Sequence, residues 1–504
     1  MGIIIRQSIK GTIVTFIGSF IGFLTQMFVV TKFLQTEEIG LIQIILQAAL
    51  FFSVFAQLGT SNTAFRFFPY FQSANNNNNG FFFYMVLLPT IGICIFIPLF
   101  ILLKEPITAY YSTNAALFTD YYYWVLLLAI FIVFWTTFET YSNLLMRIAI
   151  PKFLREVAVK VLTLIVYILF IFKFLNLNGF VGCFIAIYGV VMLLSFFYVS
   201  RIGSVSLKHD FSFIDKPLRK KIKNYTLFLL LSAMSGSILG QLDLFMVGAM
   251  EGLSQAGIYT IMFFMAAVVD MPYRSITAIS SPIAAKALKE GNMETANQLF
   301  KKVSLHQLVA GSCVFLLLWI NIDNIFQIIP NGNVYAVGKW VVFFLVLGRL
   351  LSITVNFGAT IIAYSKYYYW TLFFSIFITI TGVITNLILI PRMGMTGAAI
   401  ATLTSTILSC GVQQWIVMKK IKGNPFSMSM LKLIILILIL FGINYLLPHW
   451  TSNPFIDLPY RTLIIGSITV ISLYKLKISD EISGLIGAVL GITVGKKDND
   501  VISK

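Results

Sequence analysis

Five stretches of this sequence place an ionisable side chain where its neighbours are apolar. Arg349 stands in LVLGRLLSITVNFG, and Arg274 in VVDMPYRSI, four residues after Asp270 with Pro272 between them. Asp243 lies in GQLDLFMVG, Glu139 near the end of a long aromatic run, and Lys160 over a turn into another apolar run. A charge at the centre of a membrane helix costs about 2.5–3.5 kcal/mol, so each of these groups has to meet a partner or a wet interior. Guanidinium groups hold phosphate oxygens by paired, charge-assisted hydrogen bonds, which makes Arg274 and Arg349 the leading anion-binding candidates. The carboxyl groups of Asp243, Asp270 and Glu139 are candidates for coupling to a cation or a proton.

Each residue also has a plainer reading. Asp270 and Arg274, at i and i+4, can neutralise one another. Lys160 can anchor at the interface with its stem in lipid. Glu139 can pair with Lys160 or Arg147, and Asp243 can be a hydrogen-bonded packing acid. No acidic residue shares the apolar run of Arg349. The three histidines are far apart, and Cys94, Cys183, Cys313 and Cys410 are scattered singly, so neither a catalytic arrangement nor a metal site is expected.

The elements that must position these groups follow from composition. With 58% hydrophobic residues, 11% charged residues and a mean hydropathy of +0.89, too little polar surface exists to cover a soluble fold. About 20 apolar residues cross a bilayer core, and fourteen such runs can be traced between residues 11 and 477. Most of the 36 Lys and Arg residues then fall on one side, those of RQSIK, RKKIK and three Lys-Lys pairs among them. Placing both termini in the cytoplasm satisfies the positive-inside rule. The net charge of +17 is accounted for by topology and anionic membrane lipid, and it argues for no nucleic acid. Arg6, Lys10 and Arg66 stand near the inner mouth, where topology alone places them and where they can also touch substrate.

The chain also repeats itself. FLQTEEIGLIQI and MEGLSQAGIYTI align Gly40 with Gly257 and Ile44 with Ile261, while NLNGFVGCFIAI and PRMGMTGAAIAT align Gly179 and Gly182 with Gly394 and Gly397. Both offsets carry the chain through six crossings, which predicts a parallel repeat. The expected organisation is a six-helix lobe over 1-200, a basic cytoplasmic linker over 201-223, a second six-helix lobe over 224-420, and two further helices with a tail over 421-504. The repeat offset sets Gln26 opposite Asp243.

With EEIGLIQI, QAGIYTI, LNGFVG and MGMTGAAIA in place, nearly the whole chain resembles the Wzx-like polysaccharide flippases of the multidrug/oligosaccharidyl-lipid/polysaccharide (MOP) exporter superfamily. The resemblance implies an all-α integral membrane fold with two lobes around a central cavity. It implies alternating access that moves a polyprenyl-pyrophosphate-linked oligosaccharide, as for O-antigen and lipopolysaccharide, from the cytoplasmic to the outer leaflet of a bacterial inner membrane. The diphosphate would lie among Arg274, Arg349, Lys160, Arg66, Arg6 and Lys10. It implies no enzyme chemistry and no cofactor beyond a coupling cation or proton. A polysaccharide polymerase and other assembly proteins are the expected protein partners. Two alternatives stay open: an ion-coupled multidrug antiporter of the same superfamily, and a membrane polysaccharide polymerase or ligase, which would ordinarily carry a larger outer loop than any here.

Overall fold

The computed structural model describes residues 2–72, 77–202, 205, 215–448 and 450–489, with side chains left undescribed at 2–12 and 232–240 among others. The side chains of Arg6 and Lys10, about half of the basic linker and the end of the tail therefore lie outside what is described. Among the described residues the chain is helical throughout, without a strand. Its principal helices are α1 (Gly2–Leu24), α2 (Thr36–Ala56), α3 (Thr60–Phe71), α4 (Phe81–Leu102), α5 (Tyr122–Leu144), α6 (Val159–Ile171), α7 (Leu177–Ile202) and α8 (Lys216–Glu251). They continue with α9 (Leu253–Ala266), α10 (Asp270–Lys289), α11 (Met293–Ile320), α12 (Lys339–Tyr364), α13 (Trp370–Ile421), α14 (Met428–Leu446), α15 (Pro454–Lys475) and α16 (Asp480–Val489).

Eleven described helices are long and apolar enough to cross a membrane, so the chain is a multi-pass membrane protein. The expected fourteen is not reached on this criterion, for three local reasons. The 13-residue α6 is preceded by a π-helical stretch, Leu154–Ala158, and a short helix, Ala149–Phe153, rather than running as one long helix. The 36-residue α8 falls outside the count because its side chains at 232–240 are among those not described. The 52-residue α13 counts once, yet at 1.5 Å per residue it would be about 78 Å long, more than two bilayer cores. Its backbone leaves the helical region at Gly394, where φ is 56° and ψ is −141°, a conformation that suits a residue without a β-carbon.

Packing divides the chain into two compact units. One comprises Met1–Phe264 with Leu372–Ser405, the other Met265–Thr371 with Thr406–Lys504. This partition follows contacts and does not coincide with the boundaries of the sequence repeat. In the first unit α5 is central, packing on α2, α3, α4 and α7, while α8 lies along α2 and α3. In the second, α11 packs on α10, α12, α14 and α15.

The connector repeated at FLQTEEIG and MEGLSQAG has a physical reason inside the first unit. Gly40 of α2 and Gly257 of α9 face each other so closely that a β-carbon on Gly40 would overlap the Leu253 carbonyl, and one on Gly257 the Thr36 carbonyl. Beside them the hydroxyls of Thr36 and Ser254 hydrogen-bond at 2.7 Å. Repeat-related segments thus pack on one another through matching residues. The start of α2 is further fixed by Gln35, whose backbone N–H donates to Glu38 at 2.8 Å.

In the second unit, Arg461 of α15 is buried and donates through Nε to Asp457 at 2.9 Å, through Nη1 to Asn444 at 2.8 Å and through Nη2 to the Leu447 carbonyl at 2.9 Å. Asp457 also accepts from Asn324 and from the Trp450 backbone. This satisfied ion pair joins α14 and α15 to the short helix Ile322–Ile328. At the other end of α15, α16 is clipped to α11 by Lys302 and Glu481 at 2.5 Å and by His306 and Ser479 at 3.0 Å. Lys302 holds the Glu481 carboxyl down at about 2.

The glycine contact gives a direct test. Gly40→Val should force α2 from α9 and lower stability by roughly 1–3 kcal/mol, read as a depressed thermal midpoint in detergent. An unchanged midpoint would contradict the close approach.

Candidate functional site

Asp243, on α8, gathers donors from three other helical arms. Its Oδ2 accepts from the Tyr259 hydroxyl of α9 at 2.8 Å and from the Thr402 hydroxyl, and its Oδ1 accepts from Asn386 Nδ2 at 2.9 Å. Asn386 and Thr402 come from the two arms of α13, which the turn at Gly394 folds back on one another. Gly397 permits their close approach, since a β-carbon there would overlap the Leu389 carbonyl. The hydroxyls of Thr385 and Ser405 tie the arms at 2.9 Å. Asn386 is fully buried, and its Oδ1 has no hydrogen-bond partner among the described residues. A buried amide oxygen beside a carboxylate and a hydroxyl is a set of hard oxygen donors, suited to a small cation. The same carboxylate is equally placed to take a proton. Gln26, its repeat counterpart, lies in a π-helical stretch, Thr25–Val30, that interrupts the first membrane span. Such stretches recur at functional positions.

A second cluster lies where α9 gives way to α10. A 3₁₀ turn, Ala267–Val269, separates them, immediately before Asp270 and Pro272. Proline has no backbone N–H to donate to the preceding turn, so continuous helix is interrupted here. The pairing expected between Asp270 and Arg274 does not form. Asp270 instead accepts from Arg349 Nη1 across to α12, with both side chains 20% exposed. Arg274 is left exposed, with no ion pair among the described residues.

Glu139 and Lys160 form the third cluster, again with different partners from those expected. Glu139 pairs with Arg155 at 3.2 Å, rather than with Lys160 or Arg147, and Arg155 reaches Glu156 at 3.3 Å. Lys160 pairs with Glu156 at 3.3 Å, the i, i+4 arrangement in its favourable order. The π stretch that carries Arg155 and Glu156 packs against α1 at Gly18, and the Lys160 stem packs against Gly22. Arg66 has no ion pair among the described residues; it is exposed on α3 with its guanidinium 4.1 Å from the centroid of the Tyr225 ring. Arg6 and Lys10 are on α1, and their side chains are among those not described.

The sequence reading missed Tyr259, Asn386, Thr402 and Arg155. The last was legible, because REVAVK is an amphipathic, charged start to an apolar run. The other three are ordinary membrane-helix residues until Asp243 gathers them.

With this geometry in view, solved structures offer a direct comparison. The chain aligns with a lipid II flippase, MurJ, in an inward closed conformation, over 96% of this chain and 99% of that one, with a TM-score of 0.74 and 15% identity. An inward-facing multidrug resistance MATE transporter of the MOP superfamily aligns over 80% of this chain and 94% of its own, with a TM-score of 0.61 and 16% identity. A MOP superfamily transporter from Pyrococcus furiosus covers 83% of this chain and 95% of its own, with a TM-score of 0.55 and 16% identity. The chain has the fold of MOP superfamily transporters. No family model and no curated protein sequence matches it.

The cross-helix pair predicts non-additive mutants. Arg349→Ala alone should cost roughly 1.5–3 kcal/mol by stranding the Asp270 charge. Adding Asp270→Ala should recover part of that loss. Strictly additive midpoints in a double-mutant cycle would show that the two groups do not interact.

Proposed function

We propose that this protein is a flippase that carries a polyprenyl-pyrophosphate-linked oligosaccharide from the cytoplasmic to the outer leaflet of the bacterial inner membrane by alternating access, for surface polysaccharide assembly. The observation that carries the reading is the extent of the likeness. The lipid II flippase aligns with 96% of the chain, whereas the multidrug and Pyrococcus transporters cited above align with 80% and 83%. The difference is close in size to residues 421–504, the α14–α16 region.

Arg274 supports this reading, as an exposed guanidinium with no ion pair among the described residues, one turn beyond the Asp270–Arg349 pair. That pair holds a charge in place without a free counterion, so Arg274 is the better candidate to meet a diphosphate. Lys160 and Arg66 would contribute positive potential, as would Arg6 and Lys10 from the start of α1. Asp243 is proposed to couple transport to a proton or a small cation, with Asn386, Thr402 and Tyr259 adjusting to its charge. A polysaccharide polymerase would be the downstream partner. The multidrug antiporter reading remains the second choice, because the Asp243 cluster alone would serve either cargo.

Deleting the gene should leave the labelled lipid-linked intermediate assembled and confined to the cytoplasmic leaflet. Intermediate already displayed outside but unpolymerised would point to a polymerase instead, and normal display with loss of drug efflux to the antiporter. Arg274→Ala should cut translocation by about tenfold or more while leaving the thermal midpoint unchanged, in keeping with one charge-assisted phosphate contact. Asp243→Asn should abolish dependence on the ion or proton gradient. A variant that transports with unaltered gradient dependence would reduce Asp243 to a packing acid.

A further inference from the structure

Three helices of the first unit enclose a cavity of about 420 Å³ that none of the proposed transport chemistry uses. The α8 wall is a single stripe at helical spacing, with Arg219 and Lys223 at one end and Thr226, Leu227 and Leu230 beyond them. Facing it, α3 contributes Thr63, Ala64, Phe67 and Phe71, and α4 contributes Phe81, Tyr84, Met85 and Leu88, each set again on one helix face. The lining is therefore apolar along its length and cationic at one end. A hydrogen bond from the Thr63 hydroxyl to that of Thr226, at 3.0 Å, joins α3 to α8 within it.

The basic end is available to an anion. Arg219 and Lys223 are exposed, as are Lys220 and Lys221 beside them, and none of the four makes an ion pair among the described residues. Asp215, the described carboxylate nearest in the chain, accepts from the Leu218 backbone at 2.9 Å at the start of α8.

Length and charge select the occupant. From Arg219 to Leu230 the helix rises about 16 Å, which is one leaflet's share of a bilayer core about 30 Å thick. An acyl chain reaching from its headgroup to the bilayer midplane spans that distance, and the cationic end of the apolar groove stands where its phosphate would lie. We propose that the cavity between α3, α4 and α8 is a binding site for an anionic phospholipid, with one acyl chain in the groove and the phosphate on Arg219 and Lys223. This site is separate from the transport reading and stands or falls without it.

The test uses the purified full chain in detergent, titrated with phosphatidylglycerol or zwitterionic phosphatidylcholine and followed by native mass spectrometry. The wild-type chain should retain phosphatidylglycerol about tenfold more tightly. Arg219→Gln with Lys223→Gln, both at exposed positions, should abolish the preference without altering phosphatidylcholine retention or the thermal midpoint. Ala64→Leu and Leu227→Trp, which fill the groove from opposite walls, should each weaken retention of both lipids. The proposal fails if the charge-neutral double variant keeps the preference, or if neither filling variant reduces binding. It also fails if a long-chain polyprenyl phosphate displaces phosphatidylglycerol at equal concentration, which would make the carrier's tail the occupant.

Discussion

Within a bilayer no water is at hand to complete a hydrogen bond, so every polar group that enters a span must bring its partner with it. The described helices are arranged around that demand. Asp243 recruits a phenol, an amide and a hydroxyl from three arms, Asp270 takes its guanidinium from α12, and Glu139 takes one from the π stretch before α6. Asp457 and Arg461, buried most completely, satisfy each other and four further groups. Each of these contacts joins helices or arms that hydrophobic packing alone would leave free to slide. In lipid there is little hydrophobic drive between helices, so such contacts and close small-residue packing set the arrangement.

This demand also separates the groups held for structure from those left for work. Arg461 is buried within its network, and Asp270 and Arg349 neutralise one another. Asp243 differs, because Asn386 beside it keeps an unspent oxygen. Arg274 differs in the opposite sense, as an exposed cation with no ion pair among the described residues.

Much of this was legible in the sequence, and the limits are physical. Hydropathy and charge placement identify a membrane protein of many helices, and the paired connectors that the sequence singles out meet at Gly40 and Gly257. The intrusive charges were found because each breaks an apolar run. Their partners were not, because pairing across helices depends on which faces meet. Asp270 illustrates this: spacing offers Arg274 at i+4, while α12 supplies Arg349. Asn386 and Thr402 carried no signal, being distinguished only by the Gly394 turn that brings two arms of α13 together. The eleven counted helices and the fourteen apolar runs differ where a helix is short, as at α6, or is counted once across a turn, as at α13.

The glycine pair at the repeated connector has a consequence for how such a chain can change. Where two segments touch through glycines, each is part of the other's environment. A methyl group gained at position 40 removes the room that position 257 needs, and the reverse holds equally. Other positions of either segment are free to change singly, whereas these two are tied to one another.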